Sequence, residues 1–116
     1  MATDIFCKII NREIPDAIIW EDEEFIALND IHPVAPVHIL IIPKQHIGAI
    51  VGANAEQQNL VGRLMVAAGR VAKKFAVDES GYRLIINQGP DAGQAVPHLH
   101  MHLLAGKNLG TKIIHE

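Results

Sequence analysis

Residues 97–104 read PHLHMHLL, with His98, His100 and His102 at every second position and Leu99, Met101 and Leu103 between them. On a strand, alternate side chains point to opposite faces. This pattern predicts three imidazoles on one face and three apolar side chains turned into a core. A solvated face is the bland alternative, and three histidines in strict register in a chain with seven histidines weigh against it. Two chemistries suit the pattern. One is metal binding, because His-x-His can supply two ligands to zinc at about 2.0–2.1 Å. The outer two α-carbons lie about 13 Å apart at ~3.3 Å of rise per residue, so His98 and His102 do not converge on one ion. A third ligand would have to come from elsewhere, for instance His38, and no cysteine is placed to help. The other chemistry is nucleophilic. A neutral imidazole is available near pH 7, it can form a covalent bond to phosphorus, and a flanking imidazole can stabilise a transferring phosphoryl group. The spacing therefore favours phosphoryl or nucleotidyl transfer through His100, with no metal.

The elements that must hold these residues follow from the rest of the chain. TDIFCKIINR carries Ile5, Phe6, Ile9 and Ile10 at helical spacing behind a Thr3 cap and should stop near Pro15. Residues 17–21 and 24–29 read as strands joined around Asp22. HPVAP is an irregular loop. Residues 38–42 (HILII) show no polar alternation, which predicts a strand covered on both faces, ended by Pro43. Asn54 with Gln57 forms a capping-box signature. The helix it opens has an apolar stripe of Leu60, Val61, Leu64, Met65, Ala68, Val71, Ala72 and Phe75. Gly62 and Gly69 lie on one side of it, where either a close backbone or plain solvent would accommodate them. Residues 82–87 and 98–104 are the last strands, joined by the turn-rich NQGPDAGQ. The expected fold is α+β: a mostly antiparallel five-stranded sheet with one long and one short helix, in a single domain spanning 1–116.

Composition narrows the partners. The chain has 116 residues, 49% of them hydrophobic, and a formal charge of −3. Without a basic cluster, nucleic acid and anionic membranes are poor partners, while a small phosphorylated ligand needs only a local site. A single cysteine, Cys7, excludes an intrachain disulfide. No stretch reads as a signal peptide or a membrane span, so a cytoplasmic protein is expected.

HLHMHLL matches the His-φ-His-φ-His-φ-φ signature of the histidine triad superfamily, where φ is apolar. IFCKIINREIP, ALNDIHPVAPVHILIIPKQHI, GYRLIINQG and DAGQAVPHLHMHLLAG resemble its Hint-like branch, in order, over nearly the whole chain. That branch consists of purine nucleoside phosphoramidases, homodimers whose sheets join into one. They hydrolyse the P–N bond of AMP or GMP joined to an amine, without a cofactor. The resemblance implies that His100 is the nucleophile that becomes nucleotidylated. It implies that His98 and His102 position it and contact the α-phosphate, and that His38 supports the triad. Asp30 would accept hydrogen bonds from the ribose hydroxyls. Ile31, Phe6 and Ile9 would wall the purine. Asn87, Gly93, Gln94 and Ala95 would line the phosphate, with backbone donors near Gly93 to Ala95. On pattern alone, Asp30 is a turn aspartate and Phe6, Ile9 and Ile31 are core residues. His46 is read as structural, Lys44 and Arg83 as surface charges, His115 as solvated.

The chain departs from the branch at Ala95, where serine is frequent, at Pro97, where an aromatic is common, and at His32. Its carboxyl end, KNLGTKIIHE, lacks the branch's short aromatic tail. The nucleophile survives these changes; the rate and the leaving-group preference are affected. Competing expectations are a dinucleoside polyphosphate hydrolase of the Fhit type, a non-catalytic nucleotide-binding or interaction protein, and zinc storage.

Overall fold

The computed structural model describes residues 4–14 and 17–111. Helix α1 (Ile5–Ile10) comes first, followed by strands β1 (Ile18–Glu21), β2 (Phe25–Asn29) and β3 (Val37–Pro43). Helix α2 (Ala55–Lys74), strand β4 (Tyr82–Ile85), a 3-10 turn (Pro90–Ala92) and strand β5 (Met101–Ala105) complete the chain. All five strands form one antiparallel sheet in the order β1-β2-β3-β5-β4. The expected α+β class and strand count are met.

Side-chain alternation gives the sheet two different faces. Phe25 and Ala27 of β2, Ile39 and Ile41 of β3, and Met101, Leu103 and Ala105 of β5 meet Leu60, Leu64, Ala68 and Val71 of α2. On the opposite face, Ile26, Leu28, Leu40 and Ile42 are covered by Phe6 and Ile9 of α1. β3 is therefore buried on both sides, as its unbroken apolar run predicts. Each fully buried Leu, Ile or Phe contributes about 1.5–3 kcal/mol. α1 has only six residues, too few to be stable alone, so Phe6 and Ile9 hold it in place.

Four details correct the sequence reading. Thr3 lies outside the described residues, and Asp4 caps α1, its side chain accepting the Cys7 N–H at 2.8 Å. β4 ends at Ile85, opposite His102, leaving Ile86 and Asn87 beyond the ladder. Met65 lies outside the buried stripe of α2 at 51% exposure, and Ala67 takes its place. Most consequentially, β5 begins at Met101 rather than at residue 98. Ile41 is the last β3 residue opposite β5, at Met101, while β3 runs on beside β2 to the Phe25–Pro43 pair. Residues 98–100 thus have no strand beside them. The Leu99 N–H instead donates to the Ile47 carbonyl at 2.6 Å and the His98 N–H to the Val96 carbonyl at 2.8 Å.

A methyl group in place of either α2 glycine would meet little of this chain: nothing lies within 4 Å of a Cβ at Gly62, and at Gly69 only the Tyr82 hydroxyl does, at 3.9 Å. Among the described residues no backbone explains the two glycines. Among the described residues no helix is long and apolar enough to cross a membrane.

Candidate active site

The solvated face, the bland alternative, is not observed: His98, His100 and His38 are buried and His102 half-buried, all on the α1 side of the sheet or at its edge. His38 sits on β3 and His102 on β5, two residues out of register across the ladder and on the same face. The edge of the Phe6 ring lies against His100 and His98, with centroids 5.0 and 5.8 Å away. The His100 and His102 rings are 5.2 Å apart.

The hydrogen bonds fix one set of tautomers for the neutral rings. The His100 Nδ1 is 2.8 Å from the His98 carbonyl. A carbonyl only accepts, so Nδ1 carries the proton and Nε2 carries the lone pair. The Val34 N–H donates to the His38 Nδ1 at 3.1 Å, leaving the His38 Nε2–H to donate to the His102 Nδ1 at 2.9 Å. His102 therefore keeps its own proton on Nε2. Burial, then the neighbouring His100 and His38, lowers the His102 pKa to about 4, so this ring is neutral at pH 7. A nucleophilic nitrogen and a neighbouring N–H donor thus stand side by side.

His98 departs from its expected role. Its Nε2–H donates to the Pro43 carbonyl at 2.9 Å, and its Nδ1 lies 3.6 Å from the Cys7 Sγ and 3.3 Å from the Asp4 Oδ2. With both nitrogens engaged inside the protein, the ring has none left for an α-phosphate. Its link to the reaction is the carbonyl that holds His100. Burial lowers the pKa of His98, against an upward pull from Pro43 and Asp4.

Asp30 accepts the His32 N–H through Oδ1 at 2.7 Å and places Oδ2 at 3.3 Å from the His38 Nε2. Beside it, Ile31 is 84% exposed, whereas Phe6 and Ile9 are packed. Asn87 lies just past β4. Gly93 is left-handed (φ 77), which suits glycine. The expected backbone donors are largely consumed by this turn. The Gly93 N–H bonds the Pro90 carbonyl and the Gln94 N–H bonds the Gly89 carbonyl. The Gln94 side chain braces the same loop, accepting the Gly89 N–H at 2.8 Å and donating to the Val96 carbonyl at 3.1 Å. Ala95 is exposed and offers no polar side-chain atom.

Sequence reasoning missed a second group. Asp4, Cys7, His46 and His98 bring four potential ligand atoms within 4.8 Å of one another. The expectation that no cysteine stands near the histidines is overturned by Cys7. Asp4 is the N-cap of α1 and Cys7 lies three residues on, the spacing at which a cap side chain meets the first turn, which was the available signal. His46, read as structural, comes from the loop after β3. A further group, Asp30, His38 and His102, belongs to the triad itself. Lys44 pairs with Glu21 at 2.6 Å, and Arg83 donates to the Gly110 carbonyl at 2.6 Å. His115 lies outside the described residues.

Known proteins resemble this chain in sequence and in fold. The family model for the HIT domain matches residues 11–109. The purine nucleoside phosphoramidase of Escherichia coli K12 is 45% identical over 112 residues, covering 97% of this chain and 94% of its own. A HIT-like protein of Synechococcus elongatus is 50% identical over 105 residues, covering 90% and 91%. A solved HIT family hydrolase from Clostridium thermocellum superposes with a TM-score of 0.91 at 48% identity, covering 98% of this chain and 99% of its own.

Proposed function

The chain belongs to the HIT domain family, and on that premise we propose that it hydrolyses purine nucleoside 5′-phosphoramidates of the AMP-amine type through a nucleotidyl-histidine intermediate. The observation that carries this reading is the bond from the His100 Nδ1–H to the His98 carbonyl, which leaves Nε2 as a directed lone pair.

In the first step the His100 Nε2 attacks the α-phosphorus and the bond from phosphorus to the amine breaks. The nucleotidylated ring is cationic, and the His98 carbonyl accepts the N–H that carries this charge. The His102 Nε2–H donates a hydrogen bond to a phosphoryl oxygen. It does not surrender that proton, because an already neutral imidazole would become an anion. Ala95 has no hydroxyl, so water protonates the departing amine. In the second step water, or the hydroxide so formed, attacks phosphorus. The P–Nε2 bond breaks, releasing the nucleoside monophosphate and neutral His100.

In this reading Asp30 accepts the ribose hydroxyls, and the exposed Ile31 is covered by the purine, whose wall continues into Phe6 and Ile9. His38 is a positioning residue, fixing the tautomer of His102. Asn87, Gly93, Gln94 and Ala95 shape the phosphate side through the braced loop. The partner is a purine nucleotide, not nucleic acid or membrane, and a cytoplasmic setting suits a chain with one cysteine. A homodimer completes the reading. It is supported by the exposed Met65 and Val66 beside Gly62 and Gly69 on α2, and by the outer edge of β4, which among the described residues pairs only with β5.

The test is relative turnover of an adenosine phosphoramidate with a fluorogenic amine and of diadenosine triphosphate. A higher kcat/KM on the phosphoramidate is expected. The reverse order would make the protein a dinucleoside polyphosphate hydrolase using the same histidine.

A further inference from the structure

The loop between β2 and β3 carries an inference that rests on the proposed substrate and deepens it. The loop is fixed at both ends. The Asp30 N–H donates to the His38 carbonyl at 3.0 Å. Pro36 packs so closely on Gly106 that a Cβ added there would meet the Pro36 Cβ at 2.9 Å. Between these anchors Ile31 and Val34 turn apolar side chains to solvent, 84% and 64% exposed. Val34 also turns its N–H inward, where it donates to the Nδ1 of the buried His38 at 3.1 Å. One residue thus carries an uncovered apolar side chain and a donor to the triad's support.

That donor decides where two protons lie. While the Val34 N–H is in place, the His38 Nδ1 keeps its lone pair and the His38 Nε2–H donates to the His102 Nδ1 at 2.9 Å. The His102 proton then stays on Nε2. Without the Val34 N–H, His38 can carry its proton on Nδ1. Its bare Nε2 then faces the His102 Nδ1, and the two lone pairs repel until His102 also exchanges its proton to Nδ1. The His102 Nε2 would present a lone pair to a phosphoryl oxygen, a repulsion in place of a hydrogen bond. Asp30 favours the same tautomer as Val34, its Oδ2 lying 3.3 Å from the His38 Nε2. Ribose hydroxyls bound at Asp30 draw that pull off, and the Val34 N–H is then the hold that remains of the two.

We propose that Val34 is a positioning residue that couples base occupancy to the phosphate. A purine covering Ile31 and the Val34 side chain seals the Val34–His38 bond from water, and the His102 Nε2–H is thereby held on the phosphoryl oxygen. A hydrogen bond in a low-dielectric setting is electrostatically stronger. A ligand shifts an equilibrium only through contacts that differ between its states, and the differing contact here is the apolar cover. Base recognition therefore appears in kcat as well as in KM, because the donor it secures acts on the transition state.

The experiment compares adenosine 5′-phosphoramidate with the abasic ribose 5-phosphoramidate, both bearing the same fluorogenic amine, on the full chain. The wild type should show a kcat roughly tenfold or more higher with the base. Val34→Pro removes the N–H, and this ratio should fall below about twofold. Val34→Ser keeps the N–H and loses the apolar cover, so its ratio should fall severalfold. Nitrogen-15 spectra of histidine-labelled protein with AMP bound read the tautomers directly. His38 should carry its proton on Nε2 in the wild type and shift it toward Nδ1 in Val34→Pro, a change that loss of packing alone would not produce. Far-ultraviolet circular dichroism checks that the variants fold, and Val34→Ser decides if Val34→Pro does not. The proposal is overturned if the base alters KM alone in the wild type, if the ratio is unchanged in either variant, or if Val34→Pro keeps the wild-type tautomer. Should the wild type turn over neither compound, the phosphoramidase reading fails separately. AMP and ribose 5-phosphate then serve as ligands: AMP should enrich the His38 Nε2–H form over ribose 5-phosphate, and identical spectra would overturn the proposal.

Discussion

His100 donates its Nδ1–H to the carbonyl of His98 across 2.8 Å, a bond between the outer and middle members of the triad that runs through backbone rather than ring. It sets the tautomer of His100 and aims Nε2 away from the turn. It also separates the roles of two residues that look alike in sequence. His100 reacts, and His98 holds it, while the ring of His98 serves a different neighbourhood.

The His102 pKa, held down to about 4 chiefly by burial, has a consequence for stability. In the unfolded chain an imidazole takes a proton near pH 6.5. Above that pH both states are neutral and His102 contributes no pH dependence. Between about 6.5 and about 4 the unfolded state binds a proton that the folded state refuses, so stability falls as pH falls. Urea unfolding at pH 7.5 and pH 5 should show this loss, reduced in His102→Asn. By NMR the His102 ring should titrate near 4; a midpoint near 6.5 would contradict the buried, His38-bonded placement.

Asp30 should reveal itself through ribose. A hydrogen bond to a charged group contributes about 1.5–3 kcal/mol, or roughly 10–150-fold in affinity. Asp30→Ala should raise KM on an adenosine phosphoramidate by about that factor and change the 2′,3′-dideoxy analogue far less. Equal losses on both substrates would assign Asp30 to His38, which it approaches at 3.3 Å, and not to ribose.

Val66 is 57% exposed and Met65 51% exposed on the outer face of α2, next to the glycines. Analytical ultracentrifugation of the wild type should show a dimer, and Val66→Arg a monomer of unchanged secondary structure, because a buried unpaired charge is heavily penalised. A monomeric wild type would contradict the dimer.

Much of this architecture was legible because it is local. Asn54 and Gln57 cap each other as their spacing requires, and the HILII run is buried on both faces because helices lie on both sides of β3. The alternation of His100 and His102 against Leu99, Met101 and Leu103 correctly sent the apolar set beneath α2. It misplaced the strand's start, because what ends the ladder is the change of partner along β3 near Ile41 and the bond from Leu99 to Ile47, neither of which is written near residue 98. Met65 was drawn into the stripe by its hydrophobicity alone. The Asp4, Cys7, His46 and His98 cluster was illegible for a similar reason: its members come from distant parts of the chain, Cys7 and His98 lying 91 positions apart. Only the sheet order brings them together.

The most direct test of the central claim is intact-protein mass spectrometry during turnover of an adenosine phosphoramidate, under neutral or alkaline quench, for wild type and His100→Asn. A covalent intermediate predicts a transient wild-type species heavier by one AMP group, with that group mapped to His100, and neither adduct nor turnover in the variant. Sustained turnover by His100→Asn, or an AMP group on another residue, would show that His100 is not the nucleophile.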